Sequence, residues 1–175
     1  MDNLMKKRQI STINITMTAL FMAITIALSS FGIPVPGGHL YLCDVSICLA
    51  SILLNPFYAF VVGGIGSFLG DFIFYPTPMF VSLATHGLQA VVISLISHYA
   101  FKHNQKLASG IGVTVGAVIM VVGYTLGKTF VYANFEIAMV KLPYEIAQAL
   151  LGAVGSVLLC FHGGLIGTFH RILVQ

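Results

Sequence analysis

HLYLCDVSICLASILLNPFYAFVVGGIGSFLGDFIFYPTPMFVSLATH, residues 39–86, decides the fold. Long apolar runs are broken only at Asn55-Pro56 and at Pro76-Thr77-Pro78. Such runs, separated by residues that cannot continue a helix, read as consecutive membrane segments. Within them stand His39, Asp44, Asp71, Tyr75 and His86. An ionisable group inside a membrane segment is costly and marks a functional site. The stretch therefore predicts a membrane protein with a polar pocket, the rest of the chain serving as its scaffold.

Composition widens this reading to the whole chain. Its 175 residues are 58% hydrophobic and only 7% charged, with a mean hydropathy of +0.97. Soluble domains carry roughly 25% charged residues. At about 20 residues per span, the expectation is one all-α membrane domain, residues 1–175, with six transmembrane helices. The spans fall at about 13–31, 40–54, 57–75, 79–101, 107–132 and 144–172. GIPVPGGH, residues 32–39, is too rich in proline and glycine for a helix and reads as a lid loop. KHNQK (102–106) and ANFEIAMVKLP (133–143) read as polar loops.

Several function classes fall away. No GxxxxGK[ST] loop is present, so the chain does not energise transport with nucleotide itself. The net charge of +3 sits in small clusters between spans and does not point to nucleic acid. Cys43, Cys48 and Cys160 are odd in number and lack metal-ligand spacing, which argues for packing rather than a disulfide or a metal site. No cofactor is expected.

Charge also orients the chain. With six spans, Lys6, Lys7, Arg8, Lys102, Lys106 and Arg171 share one side, six of the eight Lys and Arg residues. The positive-inside rule then places both termini in the cytoplasm. On that topology the polar residues gather near the outer face. His39, Tyr41 and Asp44 open the second span, and Asp71 and Tyr75 close the third. His86 and Gln89 share a face of the fourth. Tyr124, Lys128 and Tyr132 lie four apart on the fifth, and Glu145 and Gln148 begin the sixth. Apolar walls with a few placed polar groups are the usual form of a ligand site. The tyrosines suit a flat ring, and the acids, His86, Gln89 and Lys128 suit its polar edge. Other roles stay open: Asp71 pairing with Lys128, Asp44 capping its helix, and Glu145 favouring a helix dipole. His98 and His162 read as packing residues.

Small residues recur at helical spacing. Ala19, Ala23 and Ala27 put a flat stripe on the first span, for packing within the chain or for a partner subunit. The Gly63/Ser67, Gly66/Gly70, Gly112/Gly116 and Gly123/Gly127 pairs predict close helix approaches.

These features together resemble the substrate-binding S component of an energy-coupling factor (ECF) vitamin transporter, over roughly residues 12–172. Within that family the hydroxymethylpyrimidine or pyridoxine branch is the most similar. It has an HLGD-like motif, here His39-Leu40 and then Asp44 after Tyr41-Leu42-Cys43. Its GGIGS-x-x-x-D pattern is Gly63 to Ser67 with Asp71, and its HGLQ-like motif is His86 to Gln89. The resemblance implies a non-enzymatic binding subunit. Its partners would be a membrane coupling subunit and two cytoplasmic ATPases, and the alanine stripe would be the docking face. It also implies that the subunit tips within the bilayer to carry its pocket inward. Other S-component vitamins, pantothenate and nicotinate, are alternatives, as is a membrane assembly subunit without transport. An intramembrane hydrolase on Asp71, His86 and Glu145 lacks any HExxH motif or a serine with a nearby base.

Overall fold

The computed structural model describes residues 2–101 and 104–174, with side chains for 12–101, 104–169 and 171. Lys102 lies outside the described residues, and the side chains of Lys6, Lys7 and Arg8 lie outside the described side chains. The structure is helical apart from one hairpin. α1 is Asp2–Ser29. β1 (Ile33–Val35) and β2 (Gly38–Leu40) form the hairpin. α2 is Cys43–Leu53, α3 Pro56–Phe60 and α4 Gly66–Phe74. α5 is Met79–Tyr99, α6 Gln105–Gly127, α7 Phe135–Phe161 and α8 Leu165–Val174.

Two π-helical segments interrupt this order. Val61–Ile65 joins α3 to α4 into one 19-residue rod, and Lys128–Tyr132 extends α6 to 28 residues. Among the described residues, five rods are long and apolar enough to cross a membrane. Their outward side chains, including Leu20, Phe80, Leu88, Val118 and Leu150, are exposed and apolar, as a lipid-facing surface requires.

The sixth apolar element is different. α2 has eleven residues, about 16 Å of helix, against a hydrocarbon thickness of about 30 Å. Every residue of it except Val45 is buried, enclosed by α1, α5 and α7. A helix apolar all round is stable only in such a position. Because α2 is too short to cross alone, space remains beyond its N-terminus, and the hairpin folds into it.

The expected lid loop is this hairpin. Ile33 pairs with Leu40, Pro34 with His39 and Val35 with Gly38. The turn falls at Pro36-Gly37, where Gly37 has φ +81°, a conformation that favours glycine. The polar loop expected at 133–143 is instead the first two turns and more of α7. Asn134 caps that helix, its side chain accepting from Ile137 N at 2.9 Å. Pro143 sits inside the helix without ending it. The far end differs as well. The last rod stops at Phe161, Gly164 turns the chain at φ +68°, and α8 packs Phe169 back into the core. Asn55 and Asn104 cap α3 and α6 in the same manner as Asn134.

The glycine spacing produces close helix contacts. A Cβ on Gly63 would stand 2.6 Å from Ala90 Cβ, and one on Gly116 would stand 2.5 Å from Ile93 Cδ1. A Cβ on Gly152 would meet Asp44 Cβ at 2.7 Å, where α7 passes the N-terminus of α2. These three contacts bring the Val61–Ile65 segment, α6 and α7 against the centre of the molecule.

Candidate ligand-binding site

The hairpin, α4, α6 and α7 converge on a cavity of about 500 Å³. Small-molecule sites usually span roughly 300–1,000 Å³. The hairpin end contributes Gly37, Gly38 and His39, followed by Tyr41. Asp71 and Tyr75 come from the end of α4, Tyr124 and Lys128 from the end of α6, and Tyr132 follows. α7 contributes Lys141, Glu145 and Gln148. Nine of the twelve residues predicted to bind substrate thus line one cavity.

The walls are held by specific bonds. Ser82 Oγ donates to Asp71 and accepts from Tyr124. Lys128 Nζ lies 3.7 Å from Glu145 Oε1 and donates to Gly37 O at 3.3 Å. It also stands 5.4 Å from the Tyr132 ring centroid. Thr125 Oγ1 donates to Glu145 Oε2 at 3.3 Å. Gln148 faces two ways, its Oε1 accepting from Tyr41 N at 2.9 Å and its Nε2 donating to Asp44 Oδ2 at 2.5 Å. The His39 ring packs edge-on against Tyr75 at 5.3 Å.

Asp44, His86 and Gln89 stand behind this wall rather than on it. His86 Nδ1 donates to Gln89 Oε1 at 2.7 Å, and Gln89 Nε2 donates to Asp44 Oδ1 at 3.3 Å. The chain of bonds then reaches the cavity through Gln148, and the His86 ring reaches it through Tyr124, 5.2 Å away edge-on. All three are fully buried. Their geometry orients Gln148 and Tyr124, so these two present fixed polar edges to the cavity.

Three alternative roles do not appear in this arrangement. The N-cap of α2 is Leu42 without a side-chain bond, and Asp44 bonds glutamines instead. Lys128 pairs with Glu145 rather than Asp71. Glu145 lies ten residues into α7, beyond the reach of the helix start. His98 bonds its own helix, its Nδ1 at 2.9 Å from Ser94 O, while His162 is exposed at the end of α7.

Lys141 and Ser82 escaped the sequence reading. The sequence does carry signals for both. Lys141 precedes Glu145 by four residues on a helix that Asn134 caps, and Ser82 precedes His86 by one turn. Cys43, Asp44 and His86 place donor atoms within 4.8 Å of one another. Both Asp44 oxygens there already accept from glutamines.

Ala19, Ala23 and Ala27 all lie on the exposed side of α1. They take no part in the cavity.

Relatives give this geometry a context. An "Uncharacterized protein in gap 3'region" of Pyrococcus woesei is 28% identical over 134 residues, covering 75% of this chain and 88% of that protein. Residues 9–162 match the family model described as "ECF-type riboflavin transporter, S component". The matched range contains every cavity wall described above. The chain therefore belongs to the ECF-type riboflavin transporter S component family, the multi-pass membrane subunits that bind the small-molecule substrate of an ECF transporter and act with its transmembrane and ATPase components rather than as enzymes.

Proposed function

We propose that this subunit captures hydroxymethylpyrimidine or pyridoxine from outside the cell and delivers it inward. The observation that carries this reading is the mixed wall. Tyr41, Tyr75, Tyr124 and Tyr132 offer ring faces around Asp71, Glu145, Lys128 and Gln148. Aromatic faces suit a flat heterocycle, and a wall with acids, a base and an amide suits its ring nitrogens and hydroxyls. A membrane coupling subunit and two cytoplasmic ATPases drive the cycle, and the subunit reorients in the bilayer with both termini cytoplasmic. The coupling subunit docks on the Ala19, Ala23, Ala27 face, where small side chains permit close helix approach.

A second reading, favoured by the printed name of the family, is riboflavin, a larger ring system with a hydroxylated tail. Native mass spectrometry of the purified chain in detergent separates the two, followed by thermal shift with riboflavin, pyridoxine, hydroxymethylpyrimidine, pantothenate and nicotinate. The expected result is a retained mass or a stabilisation by pyridoxine or hydroxymethylpyrimidine. A shift with riboflavin alone establishes the second reading. No shift with any of the five points to an assembly subunit.

A further inference from the structure

Among the described residues, two charged side chains in the cavity make no ion pair in direct contact. Lys141 on α7 is 92% buried, being 8% exposed, and lines the cavity. Among the described residues its ammonium makes neither a hydrogen bond nor an ion pair. Its stem is held by the hairpin: a Cβ on Gly37 would lie 3.0 Å from Lys141 Cβ, and one on Gly38 would lie 3.5 Å from Lys141 Nζ. The ammonium is thus fixed at the hairpin end of the cavity. Asp71 on α4 is also 8% exposed, and its described partner is the neutral Ser82 hydroxyl. The remaining cavity charges, Lys128 and Glu145, neutralise each other at 3.7 Å.

An unpaired charge at membrane depth is expensive, and a partner of opposite sign relieves much of that cost. Here one cation on α7 and one anion on α4 feel each other's field without touching, so each keeps a contact position open to a ligand. A ligand that met only Lys141 would leave Asp71 uncompensated, and the reverse holds for a purely cationic ligand.

We infer that the substrate is a zwitterionic ring, with an oxyanion bound by Lys141 and a protonated nitrogen bound by Asp71. This rests on the vitamin-binding reading above and narrows it. A 3-hydroxypyridine meets the requirement, because its acidic ring hydroxyl and basic ring nitrogen form a phenolate and a pyridinium together. A hydroxymethylpyrimidine lacks the acidic oxygen. A pyridine carboxylate supplies the oxyanion through a different group, so the shared chemistry is the anionic oxygen at Lys141.

The test is titration calorimetry on the full chain in lipid nanodiscs. Wild type is titrated with pyridoxine, its 3-O-methyl ether, hydroxymethylpyrimidine and nicotinate. Pyridoxine is expected to bind about 10- to 100-fold tighter than the ether, the range of one charge-assisted hydrogen bond. Lys141→Met is expected to erase that preference, and Lys141→Arg to keep most of it. Asp71→Asn is expected to weaken pyridoxine by a similar factor. The comparison of pyridoxine with its ether needs no variant, so it stands even where a substitution fails to fold. Equal binding of pyridoxine and the ether by wild type overturns the inference and leaves the vitamin reading intact. Tighter binding of hydroxymethylpyrimidine, unaffected by Lys141→Met, does the same. Nicotinate binding lost with Lys141→Met and insensitive to Asp71→Asn replaces the zwitterion by a simple carboxylate. If wild type binds none of the four ligands, the hydroxymethylpyrimidine or pyridoxine reading falls and the inference with it.

Discussion

His86 and Gln89 carry the strongest sequence signal for a ligand contact, yet they stand one layer behind the cavity. Sequence reports that a polar residue is buried and at what depth. It does not report whether the side chain meets ligand or a second side chain. Here the His86–Gln89–Asp44 chain ends on Gln148, and only that last member reaches the cavity. His86→Ala with Gln89→Ala is therefore expected to lower the melting temperature and ligand affinity together. Removing Gln89 leaves an Asp44 oxygen without that partner, a loss of roughly 1–3 kcal/mol. Differential scanning fluorimetry beside ligand titration checks this. Loss of affinity with an unchanged melting temperature would show instead that the pair touches ligand directly. Lys141 illustrates the opposite failure. Pro143, two residues away, reads in sequence as the end of the 133–143 loop, since proline removes a donor and crowds the preceding turn. The Asn134 cap and the long apolar run after it outweigh that single defect, and the helix carries Lys141 into the wall.

At the scale of elements, most of the fold was legible. Five rods follow the apolar runs, because hydropathy over about 20 residues is a strong signal. The hairpin was not legible, since a three-residue strand has no periodicity to read. The glycine pairs were legible as close contacts but not as to which helices they join. Gly152, outside those pairs, supplies a sharp case of its own, for it lets α7 pass the N-terminus of α2 next to Asp44. Gly152→Ala is expected to force these helices apart and to strain the Gln148–Asp44 bond. Overpacking of this kind costs about 1–3 kcal/mol. A melting temperature in detergent that stays at the wild-type value would show that α2 yields without resistance. The Gly110→Ala control, where a Cβ meets open space, is expected to be neutral.

For the whole molecule, binding and assembly are predicted to occupy separate surfaces. The cavity lies among the hairpin, α4, α6 and α7, whereas Ala19, Ala23 and Ala27 face outward on α1. Ala23→Leu is expected to abolish co-purification with the coupling subunit and uptake into cells, with ligand affinity unchanged. A parallel fall in affinity would make the stripe an internal support of the cavity. The hairpin adds a consequence in time rather than in affinity. It is tied to two different helices, through Gly37 O to Lys128 and through Tyr41 N to Gln148. If the hairpin is the exit, a trapped molecule leaves only when both ties are open at once. The dwell time then multiplies the two contributions, each of about 0.5–1.5 kcal/mol, or roughly two- to tenfold in rate. Stopped-flow release from Gln148→Ala should be faster by at least one such factor, because the substitution removes the Tyr41 tie and a polar edge of the cavity wall together. In this subunit the latch would act as a clock, setting how long the cargo waits for the rest of the transporter to engage.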